Sequence, residues 1–218
     1  MRALRSIFVL GVLTAIALNN LWQIRDPALE GDIAVITKDL VIEENLSQYK
    51  RLLGKDYQGY RNHIYRVFSF SLHFLHGDET YRDVIAAALV YHDIALWTDG
   101  TNAYIKPSRA RARKDLKNNN FDPEQMSLIE GIIEWHHKVT PYRGEHADAI
   151  NAVRKADWAD FTYGLAHFGL PRKHIATVRD TIPEAGFHKT LNEFALGKRL
   201  HKWNILKAVW EVLHIYRW

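Results

Sequence analysis

The sequence predicts an all-α protein, a bundle of helices with one hydrophobic helix at its amino terminus. Apolar residues recur at helical spacing in several segments, turn residues separate these segments, and only residues 33–36 could form a short strand. Hydrophobic residues make up 47% of the 218 residues, which is enough for one well-buried core. We therefore expect a hydrophobic segment over 1–24, a connecting segment over 25–45 and a helical domain over 46–218.

Helical periodicity and helix breakers define the elements of the domain. The predicted helices are 46–53, 60–75, 81–97, one starting at Pro107, 122–137, 148–167, 175–180 and 191–218. In the second, apolar residues recur every three or four positions from Ile64 to Leu75, which places them on one helix face. The third is apolar almost all round over 85–90, so it belongs in the middle of the domain. Gly54 and Pro141 are among the residues that end helices.

The amino terminus has the pattern of a membrane anchor or an export signal. Arg2 and Arg5 precede an apolar run over 6–18, and the uncharged stretch continues to Ile24. A cleaved signal and an uncleaved anchor both fit this pattern, and an ordinary packed helix is the alternative. Because the basic residues precede the run, an anchor or signal would place the domain on the outer side of the membrane. We predict membrane association or export through residues 6–24, with a cytoplasmic protein as the alternative.

Composition excludes several classes of chemistry. The chain has no cysteine, which rules out disulfides, thiolate metal sites, iron–sulfur clusters and a cysteine nucleophile. The sequence also lacks a glycine-rich phosphate loop and a serine-nucleophile elbow. The net charge of +4 is small for a nucleic-acid-binding protein, but it suits an anionic small molecule such as a phosphate ester. We expect a small-molecule substrate of this kind and no specific nucleic-acid partner.

Histidine and aspartate residues lie on the predicted core helices. His63 lies one turn before an apolar residue of its helix. His92 and Asp93 directly follow the apolar run over 86–90 of the third helix, and Asp157 shares the apolar face of a later one. A carboxylate that faces a core is costly unless it is paired or bound to a metal. Two imidazoles and two carboxylates from three helices match the mixed nitrogen and oxygen ligands of a divalent ion, although each residue alone would fit a core histidine or a helix cap.

The order His…His-Asp…Asp, with an arginine and a valine three and four residues after the first histidine, resembles the HD superfamily of metal-dependent phosphohydrolases. The resemblance covers roughly residues 60–200. It implies a helical bundle that hydrolyses phosphoesters, often nucleotides. The positions that match the family's metal ligands are His63, His92, Asp93 and Asp157. We expect one divalent ion at these residues: manganese, cobalt, nickel, zinc, iron or magnesium.

Two further histidines end a predicted helix with an apolar inner face. His136 follows Ile132 and Ile133 by four and three residues, so it should face the core beside His137. We expect a role in the site for either histidine, as a partner that holds a metal ligand, as a catalytic acid or base, or as a phosphate contact, and for Asp93 or Asp157 in orienting the attacking water. The alternative is that they are helix-end histidines that meet solvent or the last carbonyls of the helix.

The number of metal ions separates two enzyme classes. Some HD proteins bind two metals and use two further histidines between the His-Asp pair and the final aspartate. This chain has no histidine from Ile94 to Trp135, so one of these ligands is missing, which favours one ion. The runner-up functions are an HD-type di-iron oxygenase and a non-catalytic module that binds a metal or a nucleotide.

Basic residues near the ligand segments are candidates for binding the anionic group of a substrate. They are Arg66, Lys106, Arg109, Arg143 and Lys155. Most of the basic run over 106–114 should form a solvated face, so we expect one or two of its members at most to reach a substrate.

Overall fold

The computed structural model of the chain describes residues 27–199, and all regular structure within this range is helical. Short 3-10 helices lie at Pro27–Glu30 and Gly54–Asp56. The α-helices in chain order are α1 (Leu40–Ser47), α2 (Lys50–Leu53), α3 (Tyr57–Phe74), α4 (Arg82–Tyr91), α5 (Ala95–Thr98), α6 (Ile105–Asp115), α7 (Pro123–Trp135), α8 (Ala147–Phe161), α9 (Arg172–Thr181) and α10 (Phe187–Ala195). The all-α prediction is confirmed over this range. The predicted hydrophobic segment 1–24 and residues 200–218 of the last predicted helix lie outside it.

The first helix begins inside the predicted connecting segment 25–45 and ends two residues beyond it. α1 begins at Leu40 because the Asp39 side chain accepts hydrogen bonds from the backbone N–H groups of Val41 and Ile42, which caps the helix. Residues 33–36 form no strand within the described structure, and the N–H group of Ile36 donates to a serine hydroxyl on α3 instead.

Two predicted helices end earlier than the apolar pattern indicates. The segment 81–97 is divided into α4 and α5, and the break falls on His92 and Asp93. The segment 148–167 ends at Phe161, and the positive φ angles of Tyr163 and Gly164 stop it there. In both cases apolar residues continue past the end of the helix, so hydrophobic periodicity alone does not locate it.

Four helices surround the centre of the domain. α3 packs along α8 and against α4, and α7 packs against both α4 and α8. As the sequence predicts, α4 is buried on all sides, with every residue from Val84 to Tyr91 in the interior. Side chains near the ends of these four helices can therefore meet in one buried region.

None of the described helices is both long enough and apolar enough to cross a bilayer. The predicted anchor or signal falls on residues that are not described, so membrane association and export stay predictions.

Candidate metal centre

The four predicted metal ligands converge between α3, α4 and α8. His63 Nε2 lies 3.0 Å from His92 Nε2 and 3.3 Å from Asp157 Oδ1, and His92 Nε2 lies 3.4 Å from Asp93 Oδ2. All four side chains are buried. Ligand atoms that share one ion at about 2.1 Å lie roughly 3.0–3.4 Å from one another in octahedral or tetrahedral geometry. These separations suit a common ion for His63, His92 and Asp157, and Asp93 lies beside them at 3.4 Å from His92 and 4.0 Å from His63.

The structure also places His136 and His137 in this cluster. His136 Nε2 lies 3.4 Å from Asp93 Oδ1, and His137 Nδ1 lies 3.2 Å from Asp157 Oδ2. Three overlapping groups of buried side chains, each with ligand atoms within 4.8 Å of one another, could hold a metal ion. They are His63, His92 and Asp157; His92, Asp93 and His136; and His136, His137 and Asp157.

Helix ends set the orientation of two of the imidazoles. His92 follows the last residue of α4, and its Nδ1–H donates to the carbonyl oxygen of Leu89 at 2.6 Å. His136 follows the last residue of α7, and its Nδ1–H donates to Ile133 at 2.7 Å. The last carbonyls of a helix lack partners within it, so they are available to accept these protons. Nε2 of each ring is thereby directed into the cluster.

Several buried ligand atoms lack the hydrogen bonds that burial normally demands. Within residues 27–199, Asp93 Oδ1, Asp157 Oδ2 and His136 Nε2 have polar neighbours but no hydrogen bond of acceptable geometry. An unsatisfied buried polar atom costs about 1–3 kcal/mol, and more if the group is charged. A cation between these atoms would satisfy all of them, so the residues fit a metal ion.

Burial and neighbouring groups shift the pKa values of three imidazoles of the cluster in different directions. Burial lowers the pKa of His92 to about 4, and burial together with the neighbouring His137 lowers the pKa of His136. Burial also acts against protonation of His63. However, hydrogen bonds to Asp157 and Asp160 and the charges of these residues outweigh it and raise the pKa of His63 to about 9.

The carboxylates of the cluster are held in their ionised form. Burial acts against ionisation of Asp93, but the nearby histidines, His92 foremost, hold the pKa of Asp93 below its usual range. Asp157 behaves in the same way, and His137 has the largest opposing effect. The cluster therefore combines anionic carboxylate oxygens with imidazole nitrogens, the donor set that transition-metal ions favour.

A second layer of buried charge, which was not predicted from the sequence, lies behind His63. Asp160 is fully buried and accepts hydrogen bonds from His63 Nδ1 at 2.7 Å and from Arg66 Nε at 2.6 Å. Its signal in the sequence was its position three residues after Asp157, on the same helix face. Arg66 is also fully buried and bonded to Asp160, and its predicted contact with a substrate stays a prediction.

Three of the predicted basic residues, Lys106, Arg109 and Arg143, differ in exposure and in partners. Arg109 donates to Glu130 and Glu134 of α7, so its predicted role in substrate binding is not supported by its contacts. Lys106 and Arg143 are exposed to solvent, and their predicted role in binding a substrate stays a prediction.

Lys155 lies at the opposite end of α3 from the cluster. Its ammonium group is 4.6 Å from the ring centroid of Phe74. Phe74 comes eleven residues after His63, which is about 16 Å along an α-helix. The structure therefore does not bring the Lys155 ammonium group to the metal ligands, and its predicted role in binding a substrate stays a prediction.

The cluster is most exposed at His137. This residue is 8% exposed, whereas the other five members, including His136, are 2% exposed or less. The rings of Tyr104 and Phe161 lie 6.0 and 6.4 Å from the His137 ring. Among the described residues, a small molecule would reach the cluster most readily past this histidine.

Family models, curated proteins and solved structures were each compared with this chain, and none of them matches it. The case for a metal centre therefore depends on the geometry and burial of the cluster. The resemblance to the HD superfamily stays a prediction from the motif.

Proposed function

We propose that the protein is a metal-dependent phosphohydrolase in which His63, His92, Asp93 and Asp157 hold one divalent ion. The metal site is supported by one observation. Imidazole Nε2 atoms and two ionised carboxylates converge in a buried region where several ligand atoms lack hydrogen bonds. Without a cation, this arrangement leaves buried polar groups unsatisfied, which native structures rarely tolerate. Hydrolysis of a phosphoester is supported by the resemblance of the motif to the HD superfamily.

The donor set narrows the choice of metal. Imidazole nitrogens suit zinc, iron and nickel, and carboxylate oxygens suit manganese, whereas magnesium prefers sites built from oxygen ligands and water alone. A divalent ion bound here would lower the pKa of a water ligand and polarise a phosphoryl oxygen. We expect the transition metals to support more activity than magnesium.

The protein residues supply proton transfer and orientation. We assign to His137 the role of donating a proton to the leaving group. It is the most exposed member of the cluster, and its Nδ1 atom lies 3.2 Å from the Asp157 carboxylate. His136 is fully buried, with Nε2 directed at Asp93, so it is better placed to hold that carboxylate or an ion than to reach a leaving group. The Asp93 carboxylate orients the attacking water.

One observation favours a second candidate, the HD-type di-iron oxygenase. His136, His137 and Asp157 form a further group of ligand atoms beside the first one. Two ions would then share Asp157, and redox chemistry with oxygen would replace hydrolysis. Two tightly bound irons per chain, together with oxygen uptake, would support this candidate over the first.

The test uses the full chain and a matched pair of substitutions on α8. Metal content is measured on purified protein, and turnover is measured on phosphate monoesters, diesters and nucleotides with added Mn²⁺, Co²⁺, Ni²⁺ and Mg²⁺. Asp157→Asn should remove both bound metal and turnover, whereas Asp148→Asn, at an exposed position of the same helix, should leave both unchanged. Full metal occupancy without turnover on any of these esters would instead indicate a non-catalytic binding module.

A further inference from the structure

Asp160 contacts the candidate metal centre without belonging to any of its three ligand groups. Its Oδ2 atom accepts from His63 Nδ1 at 2.7 Å, and the opposite nitrogen of the same ring faces His92 and Asp157. An ionised carboxylate can only accept hydrogen bonds, so the Nδ1 atom of His63 must carry a proton. The ring is therefore held with Nε2 directed into the cluster.

We infer that Asp160 is a positioning residue that fixes His63 as a metal ligand, and that Arg66 fixes Asp160 in turn. The inference rests on the metal site of the proposed function but not on the reaction carried out there. Histidines that bind metals usually donate their other ring N–H to a carboxylate or a carbonyl, which sets the orientation and raises the basicity of the ligand.

Arg66 holds the carboxylate by a two-point contact. Arg66 Nε lies 2.6 Å from Oδ1 of Asp160, and an Nη atom lies 2.8 Å from Oδ2. Arg66 also donates to the carbonyl oxygens of Ile182 and Pro183, so the guanidinium is bound on two sides. A bidentate pair of this kind fixes the plane of the carboxylate as well as its position. Arg179 adds a further contact to Oδ1 at 3.1 Å.

A stacked ring restrains His63 on its face. The Phe187 ring lies 4.0 Å from the His63 ring, with 15° between their planes. The hydrogen bond to Asp160 fixes rotation within the ring plane, and the stacking limits tilting out of it. Neither contact uses Nε2, which remains directed at the cluster.

His63 differs from the two imidazoles at helix ends in the charge of its partner. His92 and His136 donate to neutral backbone carbonyls, whereas His63 donates to an anion that is itself compensated by Arg66. Removing the negative charge of Asp160 should therefore weaken one specific ligand. Loss of such a partner typically lowers metal affinity by about 10- to 100-fold.

The test is a double-mutant cycle on the full chain, with Co²⁺ and Zn²⁺ affinities measured by chelator competition. Asp160→Asn keeps the shape of the side chain but removes its charge, and should weaken metal binding by about 10- to 100-fold. In the His63→Ala background the same change should have less than about a threefold effect, because the ligand on which it acts is gone. Asp148→Asn on the exposed side of α8 is the control.

Each alternative result has a distinct meaning. Asp160→Asn with wild-type affinity would overturn the inference and leave the metal site standing. An equal loss in the presence and absence of His63 would show a general structural role and would also overturn it. A wild-type chain that binds neither metal would remove the proposed function together with the inference.

Arg179→Gln provides a second route if Asp160→Asn does not fold. This change removes one hydrogen-bond donor to Asp160. The Arg179 side chain is 20% exposed, so the substitution is made near the surface. It should weaken metal binding by about two- to fivefold in the wild-type background and by less in the His63→Ala background. Equal metal affinities with and without the change would count against the inference.

Discussion

Two groups of carboxylates and histidines in this protein have similar spacing but opposite surroundings. The buried cluster contains Asp93 and Asp157, whereas the surface group consists of Glu124 in the first turn of α7 and of Glu145 and His146 just before α8. In the surface group, the Glu124 side chain is 70% exposed, and it meets His146 Nε2 at 3.1 Å. Water solvates these carboxylates at little cost, so no cation is needed to compensate them.

Burial determines whether the same types of side chain need a cation to compensate their charge. In the buried cluster, Asp93 and Asp157 keep their charge in the interior. The backbone carbonyl groups that accept from His92 and His136 direct the Nε2 atoms of these two rings into the cluster. Buried charges persist only when they are paired or bound to a metal. Proximity of ligand atoms is therefore weak evidence for a metal site, whereas proximity combined with burial and a fixed proton position is strong evidence.

The largest expected effect is a difference in metal content between a substitution in the buried cluster and one in the surface group. Asp93→Ala should abolish bound metal and turnover, because Asp93 is predicted to be both a ligand and the group that orients the attacking water. Helical content, measured by circular dichroism, should largely survive. Glu145→Ala in the surface group should change neither metal content nor turnover. An Asp93→Ala protein with full metal and full activity would show that the ions bind elsewhere.

The buried side of this comparison was largely predictable from the sequence. His63, His92, Asp93 and Asp157 each lie beside apolar residues at helical spacing, so local periodicity identified them as facing the interior. The mutual arrangement of the helices was implied only by the resemblance to a helical family. The all-α class followed from the same periodicity.

Two features of the site were not accessible from local patterns. The apolar residues after Asp93 continue the pattern of α4, so nothing in the sequence indicated that the helix stops at Tyr91 and leaves a free carbonyl for His92. Arg66 was interpreted as a substrate contact because a cation near an anion site suggests one. Its actual partner, Asp160, is 94 residues away in the chain, and only the packing of α3 along α8 brings them together.

Metal binding should stabilise the protein through the buried cluster alone. A ligand that binds only the folded state at 100 times its Kd adds about 2.7 kcal/mol to the free energy of unfolding. We expect this gain from Co²⁺ or Zn²⁺ in urea titrations of the wild type and of Glu145→Ala, and its loss in Asp157→Asn. The gain should disappear when a chelator is added. A stabilisation that persists in Asp157→Asn would assign it to another part of the molecule.

A smaller effect is expected at Gly59 of α3, where the backbone of residues 185–187 approaches the helix. A Cβ atom at Gly59 would lie 2.9 Å from the carbonyl oxygen of Ala185 and 3.1 Å from the backbone nitrogen of Phe187, the residue that stacks on His63. Gly59→Ala should therefore cost about 1–3 kcal/mol in overpacking. About 1 kcal/mol of this is offset by the better helix propensity of alanine. Metal affinity should fall as Phe187 shifts.

Gly131 of α7 is the matched control for Gly59. A Cβ atom there would meet only the end of the Ile150 side chain, at 3.2 Å, and this side chain can adjust. Gly131→Ala should therefore be neutral or slightly stabilising, and metal affinity should not change. Equal free energies of unfolding for the two variants would contradict the close approach at Gly59.

The smallest expected effect is at His146, the histidine of the surface group. Its side chain is 22% exposed, it contacts the Tyr81 ring at 5.8 Å, and its φ of 55° lies in the left-handed region. Asparagine tolerates this conformation better than most residues, so His146→Asn removes the imidazole without straining the backbone. We expect the free energy of unfolding to change by less than about 0.5 kcal/mol and the metal content to stay at the wild-type level. Loss of one metal ion per chain in His146→Asn would show that the surface group binds a cation despite its exposure, and burial would then not be what separates the two groups.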